Sequence, residues 1–549
     1  MKADSLVKGT IILTLAAFVA RFLGAIQRVP LKALLTDAGM ATYSIAYNVY
    51  FILLTIATAG VPLALSKLIS ERNAVGKYAE AQRIFVAAVW FSLTAGVLMT
   101  ALIYVAAPFY AERMSQDPDA ALAIRALAPA LLLFPLIAIM RGYFLGHRFM
   151  LANGMSQMIE QIVRVVTAVG LAYALLRLGF GHRWAVAGAS FGGVTGAVGA
   201  FLVMLAYKRK IKPAGIEAAA GADRRPAKVE MPDRETELQS GKPLKIANIY
   251  SLIFRISIPI TLISIMVPLI NAIDSTTTIP LLKADLGIGE AKVVLGLLGG
   301  RAQSLAGIPI ILAIALSQSV IPVISSAFAR KDVAELRAKT SQALRLSILS
   351  GLPLVVMLAT GAKSINGLLF ADTAGSGIIA MLTVASMFQI VMMTSGSILM
   401  GLGQMRAPMA HVFLGIAVKL AGNYILAPWF GIYGIITATI AAFLLTTALN
   451  LRSLGRIMDF SIFGKRWPGM AAAAALTTVA GILLDRVNML FVHLFGGALD
   501  YLLQSALLCT ALLLLYGLLL PLLRVLTKED LSAMPGPLRK LSGKIPFVR

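Results

Sequence analysis

MSQMIEQIVRVVTAVGLAYALL, residues 155–176, holds the decisive pattern of this chain. Its 22 residues are long enough and apolar enough to cross a bilayer as one helix, which needs about 20. Yet Gln157, Glu160, Gln161 and Arg164 recur at i, i+3, i+4 and i+7 and so share one face. A face of this kind cannot meet lipid, so the helix belongs inside a bundle, with its polar stripe turned to protein, water or ligand. Glu160 and Arg164 are placed to pair, either as a neutralised pair that seals one helix to another or as part of a binding surface.

Runs of the same length repeat outward in both directions. The spans read as 9–28, 43–66, 84–107, 120–140, 155–176, 184–207, 249–272, 293–326, 342–362, 378–402, 407–428, 431–450, 468–485 and 501–523. The composition agrees: of 549 residues, 58% are hydrophobic and only 13% charged, with a mean hydropathy of +0.84. The predicted fold class is an all-α polytopic membrane protein of about fourteen transmembrane helices.

The net charge of +24 is first a topology signal. Of the 49 Lys and Arg, roughly 34 fall on the side of the N-terminus, about 9 on the other and about 6 within spans. The 67–83 loop carries Lys67, Arg72, Lys77 and Arg83, whereas the 108–119 loop sets Arg113 against Glu112, Asp117 and Asp119. Both termini are therefore expected in the cytoplasm, and no nucleic-acid partner is needed to explain the charge. Lys2 and Lys8 resemble the basic flank of a signal peptide, but the apolar run carries Arg21 and no clear cleavage site follows, so it reads as a retained first helix.

One polar stretch, 208–246, has too little apolar content to form a core and reads as a cytoplasmic linker. It divides the chain into an N-terminal lobe (1–207), the linker, a C-terminal lobe (247–450) and a final pair of helices with a tail (451–549). Gly146 precedes Arg164 by eighteen residues, as Gly401 precedes Lys419. Each pair closes one turn and sets a cation midway along the next helix, which implies two six-helix lobes related by a parallel repeat.

Six cations lie within spans: Arg21, Arg125, Arg164, Arg255, Arg301 and Lys419, with Arg28 at a helix end. Facing lipid would cost them on the order of 18 kcal/mol together. Arg125 and Arg255, near helix ends, are placed to snorkel. Arg21, Gly24 and Arg28 form one stripe, and Arg301 with Ser304 forms another, read either as cations tied to backbone carbonyls or as anion ligands. Lys419 and Asn423 lie at i, i+4 with no acid nearby in sequence, which makes Lys419 the cleaner ligand candidate unless another helix supplies one. Asn271 to Thr278, with Asp274, is expected to end the seventh span, as a capped turn or as oxygen ligands for a cation. Gly188, Gly192, Gly196 and Ala200 make a small-residue ridge for close packing.

One cysteine, Cys509, excludes an intrachain disulfide and a cysteine metal site, and His147, His182, His411 and His493 show no ligand spacing. No phosphate loop or HExxH occurs. No metal, cofactor or catalytic residue is expected.

RGYFLGH (141–147) followed by MSQMIEQIVRVV (155–166) resembles the MurJ-like lipid II flippases of Gram-positive bacteria and the stage V sporulation protein B group, within the multidrug/oligosaccharidyl-lipid/polysaccharide (MOP) exporter superfamily. ARFLGAIQR (20–28), GMAT (39–42), PLINAIDSTTT (268–278) and IPIILAIALSQSVIPVISSAF (308–328) extend the resemblance. It implies two six-helix lobes around a cationic cavity, a lipid-tail groove on the last two helices, and an undecaprenyl-pyrophosphate-linked saccharide as cargo, flipped for cell-wall peptidoglycan synthesis and cell shape. The family's first-helix arginines carry over to Arg21 directly and to Arg28 with a one-residue offset, since Gln27 holds the matching place. Its eighth-helix cation aligns with Ser304, so Arg301, one turn earlier, would replace it. Tyr43 stands where Gram-negative members carry an acid. The protein is expected to act as a monomer among membrane lipids. A surplus of buried positive charge suits a pyrophosphate, which Arg grips in forked geometry. The alternatives are export of another lipid-linked polysaccharide unit, a multidrug exporter, whose cationic drugs would want the opposite sign, and a membrane glycosyltransferase, for which Asp274 is the candidate base.

Overall fold

The computed structural model describes residues 15–16, 18–20, 22–74, 77–147, 149–210, 246–491 and 497–525, so Arg21 and nearly all of the 208–246 linker lie outside the described residues. The described chain is helical almost throughout, with connections of a few residues. Eleven helical runs are long and apolar enough to cross a membrane. Three of these are too long to be single spans. Arg406–Ile457, at 52 residues, would extend about 78 Å as a straight helix, more than twice the hydrocarbon thickness. It breaks at Gly431, whose φ of 57° and ψ of −134° no continuous helix contains. Met266–Ile311 breaks at Gly287 (φ 78°), and Phe18–Ser70 breaks at Gln27, Thr36 and Ala59–Gly60. The fold is that of an all-helical membrane protein with fourteen helices.

Two boundaries differ from the sequence pattern. Residues 29–42, expected as a loop, continue as helix from Arg28, broken only at Thr36 (φ 63°, ψ 175°). The segment Asn271–Thr278, expected to end the seventh span, lies well inside the helix Met266–Gly296, which keeps helical geometry up to Gly287. The hydroxyls that suggested a turn are absorbed by the helix itself: Thr277 donates to the Ile273 carbonyl at 2.7 Å and Thr278 to that of Asp274 at 2.6 Å.

The chain packs into two compact units, Met1–Gly24 with Ile45–Ala272 and Ala25–Ser44 with Ile273–Arg549. The core of the first gathers Leu65, Ile69, Phe85, Phe144, Phe149 and Ile253. The second has one core around Ile324, Leu344, Ile398, Leu399 and Leu454 and another around Leu298, Leu358, Phe370 and Ile379. Large apolar side chains such as Leu98, Val105, Trp429 and Leu518 are exposed, as lipid-facing residues must be.

Each unit repeats one internal corner. In the first, the Ser70 hydroxyl donates to the Gly146 carbonyl at 3.0 Å; in the second, Ser325 donates to Gly401 at 2.8 Å. A Cβ on Gly146 would stand 2.9 Å from the Ile69 Cβ, and one on Gly401 would stand 3.0 Å from the Ile324 Cβ. Helices begin at Tyr78 and at Val333, with Glu80 and Glu335 in their first turns. Every residue in this set lies the same number of positions from its counterpart, the number that also separates Arg164 from Lys419. These matched contacts show that the two units share one internal corner.

Candidate functional site

The polar stripe of the helix Met150–Arg177 is turned inward at Glu160 and Arg164, both buried. Arg164 donates to Glu160 Oε1 at 2.9 Å, the pair that the i, i+4 spacing implied. The other carboxylate oxygen receives Arg141 at 2.8 Å, and Arg141 also reaches the Ser156 hydroxyl at 3.0 Å. Arg141 was not among the sequence candidates because the expected span, 120–140, stopped one residue short of it, whereas the helix runs on to Gly146. Two guanidiniums thus share one carboxylate. Close packing fixes the stripe: a Cβ on Gly196 would stand 2.8 Å from the Glu160 carbonyl oxygen and one on Gly192 2.8 Å from that of Arg164. The ridge Gly188, Gly192, Gly196 and Ala200 is thus the contact face of the helix Gly181–Lys210. Gln157 and Gln161 are half-buried, and Gln161 Oε1 lies 3.5 Å from the position of a Cβ on Gly24.

In the second unit Arg301 is fully buried within a π-helical turn, Leu297–Ala302. Such turns cluster at functional positions. Its Nε donates to Asp37 Oδ1 at 2.9 Å, its Nη2 to Asp372 Oδ2 at 2.7 Å, and its Nη1 to the Ala374 carbonyl at 3.3 Å. Phe370 lies under the guanidinium, 5.6 Å from its ring centre. Arg28, half-buried, donates to the Gly299 carbonyl, and Lys32 donates to that of Phe370 at 3.2 Å. Three cations and two acids therefore meet here. Asp37 and Asp372 were missed because they lie far from Arg301 in sequence. Asp372 sits between spans. Partial burial pushes its carboxyl up, but the Ala374 N–H and the Arg301 guanidinium together hold it below the usual range. Ser304 spends its hydroxyl on the Gly300 carbonyl at 2.7 Å.

Lys419 corrects an expectation. The acid missing from its own helix is Asp274, whose Oδ1 lies 2.5 Å from the ammonium, with both side chains buried. Thr439 accepts from Lys419 at 2.7 Å and the Ile435 carbonyl at 2.8 Å, so all three N–H donors are used. Asn423 donates to Thr277 at 2.8 Å and weakly to Asp274 at 3.4 Å. Asn271 accepts through its backbone carbonyl from Asn48 at 3.2 Å. Of the two cations placed to snorkel, Arg125 lies over the Tyr104 ring, 5.1 Å from its centre, and Arg255 is exposed. Among the described residues no group of three or more His, Cys, Asp or Glu could hold a metal ion.

Helical halves with buried charge at matched positions are the features on which the comparisons bear. Residues 6–328 match the family model described as polysaccharide biosynthesis protein, and residues 301–505 match that of the lipid II flippase MurJ. The chain belongs to the polysaccharide biosynthesis protein family. A solved multidrug resistance MATE family transporter of the MOP superfamily, in an inward-facing conformation, shares the fold, with a TM-score of 0.62 at 16% identity, covering 82% of this chain and 97% of that one. The chain is 25% identical to the lipid II flippase MurJ of Bacillus subtilis (strain 168), over 91% of this chain and 92% of that one. Stage V sporulation protein B of the same organism is 26% identical, over 97% and 98%. A solved structure of lipid II flippase MurJ in an inward closed conformation shares the fold, with a TM-score of 0.63 at 15% identity, covering 92% of this chain and 98% of that one. With eleven helical runs long and apolar enough to cross a membrane among its described residues, the protein is a multi-pass membrane protein.

Proposed function

We propose that this transporter flips an undecaprenyl-pyrophosphate-linked saccharide, lipid II in the first instance, across the cytoplasmic membrane by alternating access. The observation that carries the reading is the cluster of the half-buried Arg141 with the buried Glu160 and Arg164, two guanidiniums sharing one carboxylate 2.8 and 2.9 Å away. Guanidinium forks match pyrophosphate oxygens, and two of them converge here. Arg21 and Arg28 would form the outer part of a cationic path and Arg164 its middle, while Arg301, its guanidinium committed to Asp37, Asp372 and the Ala374 carbonyl, drops out as a direct ligand; Gln157, Gln161, Ser304 and Asn271 would be polar neighbours of that path. Lys419 and Asn423 drop out as direct ligands, because the lysine's donors are committed to Asp274, Ile435 and Thr439. The two six-helix lobes, 1–207 and 247–450, would rock about the path, with both termini and the 208–246 linker in the cytoplasm and 451–549 forming a groove for the lipid tail. The matching family models and the two Bacillus relatives support a lipid-linked saccharide over a cationic drug.

The test replaces a depleted lipid II flippase with this protein and measures lipid II translocation directly. Restored translocation that fails with Arg164→Gln, at normal protein level, supports the reading. Folded protein that moves no lipid II but exports cationic dyes would overturn it in favour of multidrug export, and another lipid-linked glycan accumulating outside would redirect the cargo.

A further inference from the structure

His411 stands where the first unit keeps a permanent cation. The separation that relates Arg164 to Lys419 carries Ser156 onto His411, Glu160 onto Gly415 and Arg141 onto Gly396. In the first unit the Arg141 guanidinium fills that place, 3.0 Å from Ser156 and 2.8 Å from Glu160. In the second, glycine replaces both the arginine and the acid, and an imidazole with an amide takes up the room: a Cβ on Gly396 would stand 3.7 Å from Asn450 Nδ2. His411 Nδ1 lies 2.8 Å from Asn450 Oδ1, and its Nε2 lies 3.5 Å from the Ser453 hydroxyl. The Asn450 amide cannot turn over. Its NH2 group donates to the Met392 carbonyl at 3.4 Å and to the Ser395 hydroxyl at 3.3 Å, and a carbonyl only accepts, so Oδ1 is the atom left for the ring. Nδ1 therefore carries a proton in every state. Nε2 has two settings: bare, it accepts from Ser453; protonated, it donates to the same hydroxyl oxygen. Both charge states of the ring are housed without moving a heavy atom, and the half-buried imidazole is open to proton exchange. The helix Ser376–Gly401, which packs against this one, has no ionisable side chain. On His411's own helix the charges are Arg406, Arg452 and Arg456, all exposed, and Lys419, two turns on and paired with Asp274.

We infer that His411 is a proton-binding site of the second unit, and that a proton there supplies on acidification the cation that Arg141 supplies permanently in the first. Histidine is the side chain suited to such a switch near neutrality. Asn450 fixes which nitrogen is always protonated, and Ser453 serves as donor or acceptor to the other. The inference concerns the proton and does not depend on the transported cargo.

The chain has four histidines, so each ring can be followed separately by NMR of the purified full-length protein carrying isotope-labelled histidine. The ring signal lost in His411→Gln belongs to His411. Where that variant does not fold, His147→Asn, His182→Asn and His493→Asn combined leave His411 as the one labelled ring. At the alkaline end the ring should be the Nδ1–H tautomer, and Asn450→Leu should abolish that preference. On acidification from about pH 8 to about pH 5, the His411 signals should shift to those of the doubly protonated imidazolium while the circular dichroism of the folded protein is unchanged. A ring that stays neutral over this range in folded protein overturns the proposal and leaves a structural hydrogen-bond network. A ring found as the Nε2–H tautomer at the alkaline end overturns it as well, since Asn450 would then not be holding Nδ1.

Discussion

Glu160 stands between two guanidiniums, so losing one arginine leaves it partnered while losing Glu160 leaves the buried Arg164 and the half-buried Arg141 facing one another. Arg164→Gln should therefore cost about 1–2 kcal/mol of stability and Glu160→Gln about 3 kcal/mol or more, the cost of uncompensated buried charge. Unfolding midpoints of the two variants in detergent check the order, and a reversed order would mean that Arg141 does not hold Glu160. The double variant Glu160→Gln with Arg164→Gln separates structure from transport: recovered stability without recovered flipping assigns Arg164 to the cargo. His147 offers a pH test outside the spans. Burial depresses its imidazole below the ordinary value, against a smaller opposing effect from the Tyr143 carbonyl, which lies 2.9 Å from Nδ1. The unfolded chain thus takes up the proton first as pH falls. Stability held above about pH 6.5, the unperturbed value, should be lost progressively below it. Unfolding at pH 7.5 and 5.5 should show that slope in the wild type and a weaker one in His147→Asn.

Among elements, the helix ends at Gly146 and Gly401 repeat one contact, and the two should respond alike. Ser70→Ala and Ser325→Ala each remove one hydroxyl-to-carbonyl bond, so each should cost about 1 kcal/mol. Gly146→Val and Gly401→Val should cost much more, because the added atoms meet Ile69 and Ile324 inside van der Waals distance. A matched pair of melting shifts checks the repeat without reference to function. The spans, the small-residue ridge and the Glu160–Arg164 pair were legible because each rests on helical periodicity within one segment. What joins segments was not. Asp274 on Lys419, Asp37 and Asp372 on Arg301, and Arg141 on Glu160 are tertiary pairs, and no spacing rule reaches them. Thr276 to Thr278 misled for a local reason: hydroxyls favour turns, yet inside a buried helix they bond back to carbonyls three or four residues earlier. The same pairs change what the isolated cations meant, since Lys419 and Arg301 answer to acids before any ligand.

At the scale of the whole molecule, fourteen helices give alternating sides to successive loops, and the charge count assigns them. An even number of crossings would return the C-terminus to the side of the N-terminus, the side to which the sequence pattern assigns roughly 34 of the cations against about 9 opposite. The connections at His182 and at Ala334 are both exposed and fall on opposite sides in this scheme. Cysteines placed there one at a time, in a protein with Cys509 replaced, report the sidedness directly. An impermeant maleimide added to intact cells should label His182→Cys and leave Ala334→Cys unreacted until the membrane is opened. The half-buried Cys509 packs beside Val356 and Leu508, so an alanine there should leave the fold intact. Labelling of Ala334→Cys in intact cells would place the Arg330–Arg337 surface outside, against the charge bias. The cationic side would then face out, and a flippase that collects an anionic headgroup from the cytoplasm would have to be read in the opposite direction.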